Sequence, residues 1–214
     1  MKITKKLPLA FFMLMMLSLN SITLFAQWDK TWKEVKNSDG ITVHTRSVNG
    51  SRSKEFIVKA IVSSKLSNVM DLILDFKSYP SWSYNYSACD LLKKNSKTEY
   101  LYTATIKAPW PVADRDLAVQ LNVIQSEEKT VLTLQGVPSV IPTEKGKVRI
   151  TKFNGEWTLK PLNENSTEVV CQLHAEPAGN IPEWLANMMI SEAPYKTLLG
   201  MKKKLAITPQ VAAN

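Results

Sequence analysis

Few residues in this 214-residue chain have the types and spacing that chemistry demands. His44 and His174 are the only histidines, and neither has an acidic or cysteine neighbour at metal-ligand spacing. Both sit in strand-like stretches, where an outward-facing imidazole is the ordinary outcome. There is no nucleophile elbow, phosphate-cradling glycine loop or dinucleotide fingerprint. Asp114 and Asp116 make a carboxylate pair, but on an extended strand both point to one side with Ala118 and Gln120, the polar side. Arg115 is the residue out of place. Its strand parity is that of Leu117, Val119, Leu121 and Val123, the apolar face. An arginine in register with a core face has an acidic partner, snorkels to water at the strand end, or meets a ligand, because an unpaired buried charge is too costly. Cys89 and Cys171 are the only cysteines, too few for a disulfide framework. Two small apolar strand residues account for them as well as a bridge would.

The elements that must position Arg115 are mostly strands. Trp28, Trp32 and Val35 suggest a short opening helix, ended by the turn signal Asn37-Ser38-Asp39-Gly40. A strand over 41–46, the hairpin turn Asn49-Gly50 and a return strand over 54–62 follow, with Phe56, Val58, Ala60 and Val62 alternating onto one face. Ser63 or Ser64 can cap a helix whose apolar face is Leu66, Val69, Met70, Ile73 and Leu74. Further strands are expected over 86–94, 98–106, 115–124, 130–135, 147–160 (bent at Asn154-Gly155) and 167–175. Two loops, over 107–114 and 136–146, carry prolines together with Trp110, Val137, Val140 and Ile141. Exposed apolar loops of this kind mark a binding mouth. The chain closes with a helix. Asn180 is its cap, Pro182 its first turn, and Ile181, Trp184, Leu185, Met188, Met189, Tyr195, Leu198, Leu199 and Leu205 its apolar stripe. Pro194 predicts a kink or break. The pattern is α+β, a sheet wrapped around one long final helix.

Residues 1–26 are expected to be a signal peptide. Lys2, Lys5 and Lys6 precede an apolar run over 7–19, and Ala26 closes a cleavage site before Gln27. An uncleaved anchor is the rival. The chain is then exported, periplasmic or secreted. Loss of the three lysines leaves 24 Lys+Arg against 19 Asp+Glu, a net +5 that suits anionic membrane surfaces and solubility alike. Nothing resembles a nucleic-acid motif. Residues 208–214 are expected to be a disordered tail.

Four segments carry a family resemblance. They are Asp75-Phe-Lys-Ser-Tyr-Pro-Ser-Trp82, Ala108-Pro-Trp-Pro-Val-Ala-Asp-Arg-Asp116, Val148-Arg149-Ile150 ahead of Gly155-Glu-Trp-Thr-Leu159, and Pro177-Ala-Gly-Asn-Ile-Pro-Glu-Trp-Leu185. Together they resemble the START domains, the lipid-transfer domains related to the steroidogenic acute regulatory protein. The resemblance implies a helix-grip fold over 27–207, a curved antiparallel sheet around the long C-terminal helix, with a lipid-sized tunnel inside. It implies a lipid bound, and either transferred or sensed, without chemistry, by a monomer that meets a membrane surface transiently, with no cofactor and no metal. The ligand-binding candidates it implies are Arg115, Tyr102 and Trp110, with Trp184, Met188 and Met189 from the helix. Sterol-carrying relatives place an acidic residue and an arginine in the tunnel. Counted without gaps from Arg115-Asp116, those positions fall on Tyr102 and Leu121, which cannot form that pair, so a phospholipid-like ligand is favoured over a sterol. The implied topology also sets Cys89 and Cys171 on distant strands, unbonded. Two rivals stay open. An enzyme of the same fold, a cyclase or hydrolase of a hydrophobic substrate, needs a convergent acid–base pair in the tunnel. An interaction protein needs bulky side chains filling the space under the helix.

Overall fold

The computed structural model describes residues 31–179 and 181–207. The expected signal peptide, Trp28, the Asn180 cap and the tail over 208–214 lie outside the described residues.

The turn at Asp39-Gly40 joins two strands, not a helix and a strand. β1 (Lys33–Ser38) pairs antiparallel with β2 (Ile41–Ser47). Asp39 and Gly40 both take positive φ, 54° and 67°, the conformation of a two-residue hairpin loop. The expected opening helix is thus overturned over 33–38. A weak helical stripe of three residues loses to a strand pairing closed by an ideal turn. β3 (Lys54–Val62) returns along β2 and buries Val58, Ala60 and Val62. α1 (Leu66–Leu74) buries Val69, Leu72 and Ile73. Its N-cap is Lys65, without a side-chain bond, so neither serine caps it. Ser64 instead accepts a hydrogen bond from Thr167 Oγ1 on its carbonyl at 2.8 Å, tying the helix start to a distant strand.

A 3-10 segment, Phe76–Ser81, leads into β4 (Tyr86–Lys94), β5 (Glu99–Ile106), β6 (Asp114–Gln125) and β7 (Thr130–Gly136). The expected single strand over 147–160 is two strands. β8 (Lys147–Arg149) pairs parallel with the start of β6, and β9 (Lys152–Asn163) pairs with β7. The chain breaks at Ile150, whose N–H turns to the Asp116 carbonyl at 2.9 Å. β9 runs through Asn154-Gly155. A Cβ on Gly155 would lie 2.4 Å from the Gln172 carbonyl oxygen, so the glycine serves close approach and not a bend. β10 (Ser166–Glu176) completes one ten-stranded sheet in the order β1-β2-β3-β10-β9-β7-β6-β5-β4, with β8 beside β6. The sheet is open.

α2 (Glu183–Ile207) is a single helix that continues through Pro194. Its second half buries Tyr195, Leu198, Met201 and Leu205 in the core. It is held at both ends of the sheet. On the β1–β2 side, Tyr195 Oη donates to Asp39 Oδ2, Lys202 Nζ donates to the Asp39 carbonyl at 2.8 Å, and Lys36 pairs with Glu192 at 2.5 Å. On the β4 side, the Tyr84 N–H donates to Thr197 Oγ1 at 3.2 Å. A Cβ on Gly200 would lie 2.0 Å from the Trp82 carbonyl oxygen, so only glycine lets helix and chain meet there. No helix among the described residues is long and apolar enough to cross a membrane.

Candidate functional site

The first half of α2 roofs a cavity of about 340 Å³. Val58, Leu134, Trp157 and Leu173 form its floor, one residue from each of four strands, because alternate strand residues face the helix. Leu185, Met188 and Met189 form the roof. Small-molecule pockets run from roughly 300 to 1,000 Å³, so the space suits one acyl chain or a compact ring system.

Four of the six expected site residues line this cavity: Arg115, Tyr102, Met188 and Met189. Methionines adapt their shape to an apolar ligand at little cost. Trp110 and Trp184 do not line it. Trp110 is 91% exposed in the loop before β6. Trp184 is 55% exposed, because one residue along a helix turns the side chain by roughly 100°, and its neighbour Leu185 takes the inward direction.

Arg115 faces inward as its parity requires and is 4% exposed. Its partners are neither a carboxylate nor a side chain but three backbone carbonyls. Nη1 donates to Ala113, while Nε and Nη2 donate to Pro177 and Ala178 at 3.4 Å. Burial lowers its pKa, opposed by the nearby Asp114. The arginine therefore fixes the segment that leads into α2, where Ala178 takes a positive φ of 53°. Asp116 was expected on a polar face and is instead 6% exposed. It accepts a hydrogen bond from Arg149 Nη2 at 2.6 Å. Arg149 also donates to the carbonyls of Pro138, Ile141 and Pro142, at 2.6, 3.1 and 2.8 Å. It braces the 136–146 loop as Arg115 braces the entry to α2. From the sequence, Arg149 enters only as part of a family segment, with no role given to it; its signal was an arginine flanked by Val148 and Ile150 near a proline loop.

The cavity's side wall is aromatic. Phe76 stacks on Tyr102 with centroids 4.7 Å apart, and Tyr79 meets Tyr86 at 5.3 Å. Tyr79, Tyr86 and Tyr102 all line the space. Burial pushes all three hydroxyls up in pKa, so they stay protonated. Cys171 lines the cavity too, and Cys89 is buried near the same tyrosines. Both cysteines are free. Burial pushes the Cys89 thiol up to about 12 and Cys171 higher still. Of this wall only Tyr102 is a site residue expected from the sequence; Tyr79, Tyr86 and Cys171 are additions of the structure. Around the mouth, Arg52, Lys54 and Lys107 face a single acid, Glu183, and all four are exposed. Among the described residues no group of three His, Cys, Asp or Glu side chains could hold a metal ion.

Residues 62–202 match the family described as polyketide cyclase/dehydrase and lipid transport. An uncharacterized protein of Pseudomonas aeruginosa is 35% identical over 172 residues, covering 80% of this chain and 85% of that one. The phosphatidylcholine transfer protein of Mus musculus is 20% identical over 162 residues, covering 73% and 75%. Among solved structures, a STAR-related lipid transfer protein from Xanthomonas axonopodis superposes with a TM-score of 0.76 at 33% identity, covering 82% of this chain and 99% of that one. The human StAR-related lipid transfer protein 5 superposes with a TM-score of 0.74 at 16% identity, covering 92% of each, a likeness of fold alone.

Proposed function

Because the chain belongs to the polyketide cyclase/dehydrase and lipid transport family and has the START helix-grip fold, we propose that it is a non-catalytic carrier of a lipid-like ligand in the cavity under α2. The observation that carries this is the cavity itself, walled by apolar and aromatic side chains and roofed by a helix. Burying an acyl chain there yields several kcal/mol at about 25 cal/mol per Å² of apolar area. The non-catalytic reading rests on the lining groups. Tyr86, Tyr102 and Cys171 stay neutral, Arg115 is engaged by carbonyls, and Glu183 sits out at the rim, so no acid faces a base inside.

The ligand is phospholipid-like in preference to a sterol. Leu121 is fully buried and apolar, the rim is basic enough to receive a phosphate, and one relative is a phosphatidylcholine transfer protein. A two-chain lipid exceeds the closed cavity, so the part of α2 before Glu192 swings out to admit it while the part latched from Glu192 onward stays. The working surface is the membrane. The 107–113 loop, the braced 136–146 loop and the entry to α2 meet at the start of β6, and they carry Trp110, Val140 and Trp184 exposed. Tryptophan suits a membrane–water interface, one side apolar and the other wet. The protein acts as a monomer outside the cytoplasm, after cleavage before Gln27; the positive head and apolar run over 1–19 support this.

Mass spectrometry of organic extracts from the purified protein tests the core of this reading. Near-stoichiometric lipid is expected on the wild type and not on Ala186→Trp, which fills the cavity. Equal, trace-level lipid on both proteins would defeat it.

A further inference from the structure

Four tyrosines line the cavity, Tyr79, Tyr84, Tyr86 and Tyr102, and their hydroxyls are treated differently; that of Tyr84, toward the exposed side, accepts from Lys196 Nζ at 3.5 Å. Tyr79 donates to the Ile73 carbonyl at 3.0 Å. Tyr102 and Tyr86 have no hydrogen-bond partner for their hydroxyls among the described residues. Tyr102 is 2% exposed, and its ring is fixed by stacking on Phe76. Its oxygen is not sealed in packing, so it opens onto the cavity. Buried polar groups in native proteins are nearly always paired, and an exception at a cavity wall calls for a partner that arrives from the cavity. Tyr79 lies between the two, 5.3 Å from the Tyr86 ring and 6.4 Å from the Tyr102 ring, so the open hydroxyls belong to one patch.

The patch also has a sign. The charged lining residues Arg52, Lys54, Lys107 and Glu183 stand at the exposed rim, and Arg115 is held by three carbonyls. The titratable groups that act on the two hydroxyls are neighbouring tyrosines and the thiols of Cys89 and Cys171, and burial keeps phenols and thiols protonated. A charged group brought there would lose its water for neutral partners alone, a heavy cost. A neutral oxygen loses little and gains a hydrogen bond.

We infer that the ligand is anchored at its inner end by a neutral oxygen, a hydroxyl or an ester carbonyl, hydrogen-bonded to Tyr102 with Tyr86 beside it. The inference rests on the carrier reading above and adds the chemistry of the buried end. The basic rim then takes whatever polar or anionic group remains at the mouth.

The full chain, loaded with the neutral dye Nile red, is titrated with dodecane, 1-dodecanol, methyl dodecanoate and dodecanoate. The oxygenated neutral probes are expected to displace the dye at concentrations roughly two- to tenfold lower than dodecane, the worth of one net hydrogen bond. Tyr102→Phe should remove most of that advantage while leaving dodecane unchanged. A stronger alcohol points to a hydroxylated lipid and a stronger ester to a glycerolipid; either supports the anchor. Equal binding of dodecane and the oxygenated probes would overturn it, as would an advantage that survives both Tyr102→Phe and Tyr86→Phe. Stability gives an independent readout. Removing a hydroxyl without a partner should leave the Tm of the ligand-free protein unchanged or raise it, and a clear fall would show that the hydroxyl is bonded within the protein. Failure of the cavity to bind Nile red or any probe would instead remove the carrier reading, and the anchor with it.

Discussion

Arg115→Met keeps the apolar stem of the side chain and deletes the guanidinium. The bond to Ala113 is charge-assisted; those to Pro177 and Ala178, at 3.4 Å, are long. Net hydrogen bonds to charged groups run about 1.5–3 kcal/mol, and the two long ones together count as about one. Relief from burying a charge without a carboxylate partner returns about 1–2 kcal/mol. The expected net loss is about 1–5 kcal/mol, centred on about 3. For a domain of this size a loss of about 3 kcal/mol lowers Tm by about 6–12 °C, and it moves the urea midpoint with little change in slope. Hydrogen exchange should quicken first at the amides of residues 177–186, because those carbonyls are the ones released. A loss under about 0.5 kcal/mol with unchanged exchange there, coupled to weaker lipid binding, would show that Arg115 serves the ligand and that the scaffold argument is wrong.

Arg149→Ala leaves Asp116 buried and alone, which should cost about 3–5 kcal/mol and open the 136–146 loop to proteases. Asp116→Asn in the same chain should restore part of the stability, and a fully tolerated single variant would count against the brace. Thiol titration under denaturing, non-reducing conditions should find two free thiols, while native alkylation at pH 8 should be slow, because burial holds both thiols protonated; no free thiols would mean a bridge. The Tyr195 hydrogen bond lowers the Asp39 pKa below 3.8, and the same bond raises Tyr195 above 10.0. Stability from the lowered carboxylate is present above 3.8 and lost as pH falls through the folded value; that from the raised phenol is lost as pH climbs past 10. Asp39→Asn should therefore flatten the acid limb of the Tm–pH profile, and an unchanged limb would show that the latch does not titrate.

The parts of the fold legible in the sequence were those fixed by local pattern. Strand parity put Val58, Ala60 and Val62 inside, set Arg115 among core residues, and marked both proline loops. The helix stripe placed Met188 and Met189 over the cavity but could not rotate Trp184 out of it, since a residue's direction in a first turn depends on how the helix seats on the sheet. What local pattern cannot carry is the identity of distant partners. Arg115 had two imagined partners, a carboxylate and a lipid, and found a third kind, carbonyls 62 and 63 residues away. Asp116 looked polar-facing because its partner, Arg149, arrives on β8, a strand invisible as a separate element within 147–160. Tyr86 became a cavity residue only through the tertiary meeting of the 3-10 segment and β5.

The position of β10 has a consequence for how the protein is made. β10 lies between β3 and β9, so it alone joins the hairpin sheet of β1–β3 to the strands β4–β9. Yet it is the last strand among the described residues to be synthesised, and the helix that fastens the two ends comes later still. Until residues 166–176 have left the ribosome, no backbone ladder can unite the two halves, and the core faces of both stay open to water. The nascent chain thus carries two unfinished sheets through most of translation, and folding closes as a late, long-range event. Chains dominated by such distant pairings fold slowly and expose apolar strands while they wait. A binding partner that shields those strands during synthesis should raise the yield of folded protein more than any stabilising surface substitution.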